Sequence, residues 1–237
     1  MNNKWLTDLI ARSEKKYPQD IFFETKKIYT CINPYKYHMV RDNQELYKKM
    51  DGIFIDGILM VWLYRLCLGK KVTRLSFDMT AIAKDLFSYL NITPEKSIYF
   101  IGSESHHIKA SVENFKKTYP KMNIRGFRNG YFIDNDDRAG SIQSIIQLNP
   151  SFTIVGLGGN IQEQYAIDLK KAGYNGIVFT CGGFLHQSAQ DIKYYPEWID
   201  RYNLRGVYRI FKERNFRRLH YFASFICQFI GDTLTSK

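Results

Sequence analysis

Three short apolar runs do most to limit what this chain can fold into: residues 97–102 (Ser-Ile-Tyr-Phe-Ile-Gly), 152–156 (Phe-Thr-Ile-Val-Gly) and 176–181 (Gly-Ile-Val-Phe-Thr-Cys). Each is apolar throughout and closes on Gly or a small residue, the pattern of a strand buried on both faces of a parallel sheet. After the first run, Ile108, Val112 and Phe115 recur at helical spacing up to Tyr119-Pro120. After the second, residues 162–171 read as a helix stopped by Gly173, and residues 122–126 offer a further strand. Strands alternating with helices predict an α/β fold with a mostly parallel sheet flanked by helices. Ligands of such sheets sit beyond the carboxyl ends of the strands, here the loops after Gly102, Gly156 and Cys181.

Composition narrows the function classes. Apolar residues make up 45% and charged residues 24% of the 237 positions, which excludes a disordered chain. Lys and Arg number 34 against 23 Asp and Glu, so the formal charge of +11 points to an anionic partner. Nucleic acid, anionic lipid and a phosphorylated substrate all fit. The cysteines (Cys31, Cys67, Cys181, Cys227) lie far apart with no CxxC pair, so no zinc or redox motif is visible. The N-terminus has no signal-peptide apolar stretch, and no run approaches the roughly 20 apolar residues of a membrane span. A cytoplasmic protein with reduced thiols is expected.

The chain changes character near Tyr194-Tyr195-Pro196, dividing an α/β core (1–193) from a basic helical appendage (194–237). Arg201, Arg205, Arg209 and Lys212 share one helical face, and Arg214, Arg217 and Arg218 follow with Glu213 as the lone acid. Tyr221, Phe222, Phe225, Ile226, Phe229 and Ile230 then form an apolar helical stripe. Two readings stay open: a helix lying in a membrane interface, or a terminal helix pair packed on the core.

Several residue groups carry chemistry. Asp56 ends the apolar run 52–55, where a carboxylate suits general-base work, or alternatively caps the next helix. The Gly-rich turn from Gly156 to Glu163 sits between strand and helix, a natural phosphate cradle that matches neither Walker A nor GxGxxG. Asp134-Asn-Asp-Asp137 has the look of a metal-holding DxD element, although acids there also complement a helix dipole. His106 and His107 are neighbours in a helix and so point apart. His186 follows Gly182-Gly183 in a ligand loop, as polar lining or a proton donor. No second histidine stands at ligand spacing, so no metal is assigned.

Taken together, these motifs resemble the WecG/TagA/CpsF family of bacterial glycosyltransferases, glycosyltransferase family 26, from about Cys31 to Arg218. The strongest element is Val155-Gly-Leu-Gly-Gly-Asn-Ile-Gln-Glu163, similar to the family's "VGLG-x-PKQE" signature. Around it stand Asn33-Pro34, Asp56-Gly57, Arg74-Leu-Ser-Phe-Asp78, Tyr119-Pro120, Gly130-Tyr131-Phe132 and Cys181-Gly-Gly183. Tyr195-Pro196 with Asn203-Leu-Arg-Gly-Val-Tyr-Arg209 is similar to the family's ending. Departures occur at Cys31, where the family has Thr, at Asn160-Ile161 for "PK", and at His186, where it has Asp. Glu213-Arg-Asn-Phe-Arg217 stands for "EP-x-R", so either Arg217 or Arg218 takes the place of the later arginine.

The resemblance implies an α/β enzyme that moves a hexose or N-acetylhexosamine from a UDP-sugar to a polyprenyl-(di)phosphate-linked glycan, inverting and without a metal cofactor. The variations resemble the capsule and exopolysaccharide branch. The family's base falls on Asp56 and its diphosphate-directed arginine on Arg209. Substrate-binding positions fall on Asn33, Arg74, Tyr131, Gly158, Gln162, Glu163, His186 and Arg217 or Arg218; for Tyr131 two readings stay open, stacking on uracil or packing within its loop. An anionic membrane surface, reached from the cytoplasm at the inner face of the plasma membrane, is the expected further partner, and nucleic acid is not expected. Oligomerisation stays open, since apolar helix positions serve core or subunit contact alike. The rival readings are a family member that binds UDP-sugar but has lost turnover, and a basic module that binds nucleic acid or other anions.

Overall fold

The computed structural model describes residues 4–18, 20–191, 196, 198–199, 205–212, 214 and 217–234. Of residues 205, 207, 209 and 217–219 it describes the backbone alone. Six strands form one parallel sheet in the order β2-β1-β6-β5-β3-β4. They are β1 (Ile28–Ile32), β2 (Gly52–Ile55), β3 (Ser97–Gly102), β4 (Asn123–Arg128), β5 (Phe152–Gly156) and β6 (Ile177–Thr180). The expected α/β architecture is therefore present, with β3 and β5 at the bounds read from sequence. β1 was not picked out: Thr30 and Cys31 interrupt its apolar run.

Strand side chains alternate between two cores, as the two-residue period requires. Ile28, Ile32, Ile53, Ile55, Tyr99, Ile101 and Val155 face one layer. That layer contains α1 (Lys4–Lys16), α2 (Tyr37–Asp42), α3 (Gln44–Tyr47), α4 (Ile58–Leu68), α7 (Asn135–Leu148) and α8 (Ile161–Lys171). Tyr29, Phe54, Ile98, Phe100, Ile154 and Phe179 face the other. There lie α5 (Ile82–Ile92), α6 (Ser105–Thr118) and α9 (Phe184–Gln190). Every residue of interior strand β3 is buried, and so is all of edge strand β2, whereas the other edge strand, β4, exposes Arg125 and Phe127.

Two further helices, α10 (Arg205–Lys212) and α11 (Arg217–Leu234), complete the described chain. α11 packs on α2 and α4, burying Phe225 and Phe229 against Tyr37 and Tyr64. Tyr37 donates a 3.1 Å hydrogen bond to Asp232, which also pairs with Arg41 at 3.4 Å. Part of the stripe read from sequence thus joins the core.

The chain order creates a crevice. From β5 the path runs through α8 on one face to β6, and from neighbouring β3 through α6 on the opposite face to β4. Connections that leave adjacent strands in opposite directions open a gap at the carboxyl edge. Gly102 and Gly156 pair at that point. Gly102 has φ +145°, and a Cβ there would stand 2.4 Å from the Gly156 carbonyl oxygen, so the close approach depends on glycine.

Candidate active site

The sequence-predicted residues of the strand-end loops gather at the carboxyl edge of the sheet. Asp56 directly follows β2, is half-buried, and its N–H donates to the Ile32 carbonyl at 2.7 Å. The capping position of α4 is taken by Gly57 at φ +125°, with Pro34 against the space a Cβ would fill. Asp56 is therefore not that helix's cap. Arg74 comes alongside through a short parallel bridge to Ile55, and Leu75 N–H donates to the Ile55 carbonyl at 2.8 Å. Its guanidinium donates to Ser76 Oγ at 3.1 Å and lies 3.5 Å from the Asp78 carboxylate. Asn33 turns the chain into α2, its Oδ1 accepting from Lys36 N–H at 2.9 Å.

Gly158 and Gly159 both hold positive φ, +73° and +48°, with open space where side chains would project. They turn the chain from β5 into α8 and leave the backbone accessible. Gln162 and Glu163, which begin that helix, point inward instead. Glu163 is fully buried, and its Oε1 accepts from Lys36 Nζ at 2.6 Å, Thr30 Oγ1 at 2.8 Å and Gln162 Nε2 at 2.9 Å. Thr180 Oγ1 donates to Thr30 Oγ1 at 2.6 Å, and Gly182 N–H donates to Gln162 Oε1 at 3.1 Å. One carboxylate thus ties the ends of β1 and β6 to the start of α8. Lys36, Thr30 and Thr180 were not singled out from sequence. The available signal was a threonine in each of two otherwise apolar strands.

Electrostatics excludes thiol chemistry here. Burial, reinforced by the Asp56 charge, pushes the Cys31 thiol up, and burial pushes Cys181 up to about 12. Both remain protonated and poorly nucleophilic at neutral pH.

Asp134 caps α7, accepting from Asp137 N–H at 2.8 Å, and both carboxylate oxygens of Asp137 accept from Arg128 Nη2 at 2.6 Å. The acidic run therefore serves the helix and its neighbouring strand. Tyr131 is 67% exposed on the loop after β4, with Asn129 Oδ1 accepting from its N–H at 3.0 Å.

His186, in the first turn of α9, meets His107 of α6, with their Nδ1 atoms 3.3 Å apart. His106 and His107 lie with ring centroids 3.9 Å apart rather than diverging. The sequence expectation of no second histidine at ligand spacing misses this pair, because the two residues are joined only through helix packing. Burial and the two neighbouring imidazoles lower the pKa of His107.

Positions 194–195, 201–204, 213 and 215–216, and the side chains of Arg209, Arg217 and Arg218, lie outside the described residues. The backbone of α11 is informative nonetheless. Tyr221, one turn after Arg217 and Arg218, packs edge-on against Tyr35 at 4.7 Å and stacks on His38 at 5.5 Å. The start of α11 therefore lies beside the loop that carries Asn33 and Pro34.

The model for the family described as "Glycosyl transferase WecG/TagA/CpsF family" matches residues 11–237. The chain is 35% identical over 209 residues to a UDP-Gal:alpha-D-GlcNAc-diphosphoundecaprenol beta-1,4-galactosyltransferase of Shigella boydii, covering 87% of each chain. It is also 26% identical over 212 residues to an N-acetylglucosaminyldiphosphoundecaprenol N-acetyl-beta-D-mannosaminyltransferase of Bacillus subtilis (strain 168), covering 88% of this chain and 79% of that one. Among the described residues no helix is long and apolar enough to cross a membrane.

Proposed function

The chain belongs to the WecG/TagA/CpsF family of glycosyltransferases, and we propose that it transfers a hexose from a UDP-sugar to an N-acetylglucosamine held on a lipid diphosphate, with inversion. The greater identity to the galactosyltransferase makes UDP-galactose the first donor to test. UDP-hexoses carry an α-linked phosphate, so a β product such as those relatives' names describe requires a single displacement. The reading extends to envelope polysaccharide synthesis, capsule or exopolysaccharide among its forms.

The observation that carries the proposal is the position of Asp56 at the end of β2, on the edge that also carries the glycine turn after β5. Three strand spacings, about 14 Å, separate β2 from β5, a span suited to a donor lying across the edge. Asp56 takes the proton of the acceptor hydroxyl as that oxygen attacks the anomeric carbon, and the bond to UDP breaks. Amides of the turn at Gly158 and Gly159 and the guanidiniums of Arg209 and of Arg217 or Arg218 receive the diphosphate charge. No metal is assigned to the step. Gln162 and Glu163 act by holding the turn in place, and Tyr131 faces solvent where a uracil could stack.

A lipid-linked acceptor favours an enzyme held at the bilayer. Exposed Trp62 and Leu66 of α4, with Arg65, Lys70 and Lys71 nearby in sequence and also exposed, support docking on the anionic inner face of the plasma membrane.

Calorimetric titration with UDP, without and with Mg²⁺ and with single-stranded RNA as control, tests the reading. Saturable UDP binding without Mg²⁺, with no comparable RNA binding, is expected. No UDP binding in either condition, even with anionic vesicles present, would overturn it.

A further inference from the structure

The β3–α6 and β6–α9 connections flank the glycine turn that follows β5, and each carries histidine at its rim. We infer that His107 and His186, with Glu104 and His106 beside them, form a binding site for a divalent transition metal of the zinc class.

The spacing is that of a metal's ligands. Two nitrogens each about 2.0–2.1 Å from a tetrahedral zinc stand about 3.3 Å apart, and the Nδ1 atoms of His107 and His186 are 3.3 Å apart. Glu104 Oε2 lies 3.5 Å from His106 Nδ1 and 3.9 Å from His107 Nδ1. The ligand atoms of Glu104, His106 and His107 all fall within 4.8 Å of one another.

The scaffold fixes this arrangement in advance. Phe115 of α6 stacks on Phe184 of α9 at 5.6 Å and 10° between planes. Ser111 Oγ donates to the Leu185 carbonyl, and Asn114 Nδ2 donates to the Ser188 carbonyl at 3.0 Å. Both helices are thus locked together behind the histidines, so little ordering cost remains when an ion arrives. Imidazoles with one carboxylate suit zinc, cobalt or nickel, whereas Mg²⁺ takes oxygen ligands and water. A bound ion would clamp the two connections that border the glycine turn. It takes no part in the proton or diphosphate chemistry, and the site does not depend on the transferase reading.

The experiment uses the full chain, free of any affinity tag and stripped of metal, titrated with Zn²⁺ by calorimetry and with Co²⁺ by visible absorbance. One equivalent of each ion is expected, with cobalt bands of low coordination number and no Mg²⁺ binding. His107→Ala and His186→Ala should each weaken Zn²⁺ binding about tenfold or more, while His220→Ala leaves it unchanged. Since His186 is exposed and His107 is not fully buried, these variants should fold, as checked by circular dichroism. Absence of saturable Zn²⁺ binding would leave only a hydrogen-bonded histidine pair and overturn the proposal. Binding that survives both substitutions, or Mg²⁺ bound equally well, would overturn it too.

Discussion

Lys36 Nζ lies 2.6 Å from Glu163 Oε1, joining residues far apart in the chain inside the sheet–helix interface. The lysine side chain is 9% exposed and the glutamate 0%, so neither charge has water to fall back on. Removing one partner of such a pair strands the other, at about 3–5 kcal/mol. Lys36→Met and Glu163→Leu should each lower the urea midpoint by a corresponding amount. The double variant should recover most of the loss. Additive losses would show that the two side chains are not coupled.

Asp51 gives a pH-dependent contribution. Burial alone would raise its pKa, but hydrogen bonds from Lys170 Nζ, Ile28 N–H and Lys27 Nζ outweigh it and the carboxyl titrates below its ordinary value. A carboxyl with a depressed folded pKa stabilises above its unfolded pKa, and that stability fades as pH falls through the folded value. Asp51→Asn should cost about 1–3 kcal/mol at pH 7, and the difference from the parent should shrink below about pH 4. A gap independent of pH between 3 and 7, in denaturation curves, would contradict this.

Asp56→Asn keeps the size of the side chain and removes the base. Transfer should fall by about 10²–10⁴-fold while UDP affinity, read by calorimetry, stays within a few-fold of the parent. A rate near that of the parent would remove Asp56 from the role.

The arginines of the tail are best tested singly. Deleting residues 194–237 would also remove Phe225 and Phe229 from the core, so loss of activity would be ambiguous. Arg209→Ala should reduce kcat by about 10²-fold through lost stabilisation of the departing diphosphate, with an unchanged melting temperature. Of Arg217→Ala and Arg218→Ala, one should weaken UDP binding far more than the other. Activity retained in all three would sink the assignment.

Local pattern was enough to read β3, β5 and the helix that became α8, because burial on both faces writes itself into a continuous apolar run. The glycine turn after β5 and Asp56 were legible for a similar reason: each stands where an apolar run stops. Asp134 was readable as a cap because its partner is three residues away. Gln162 and Glu163 were singled out but taken to face a ligand, and nothing in a helix-start sequence says which way a carboxylate turns.

What the sequence determined by itself was thus the alternation of strands and helices, the α/β class and the family. Tertiary structure alone decided that β1 lies between β2 and β6, and so that Thr180 donates to Thr30 while Thr30 donates to Glu163 across the interface. It alone set His107 against His186, 79 residues away. The physical reason is common to both cases: periodicity records whether a side chain is buried, but which distant group it meets depends on which connections share one edge of the sheet.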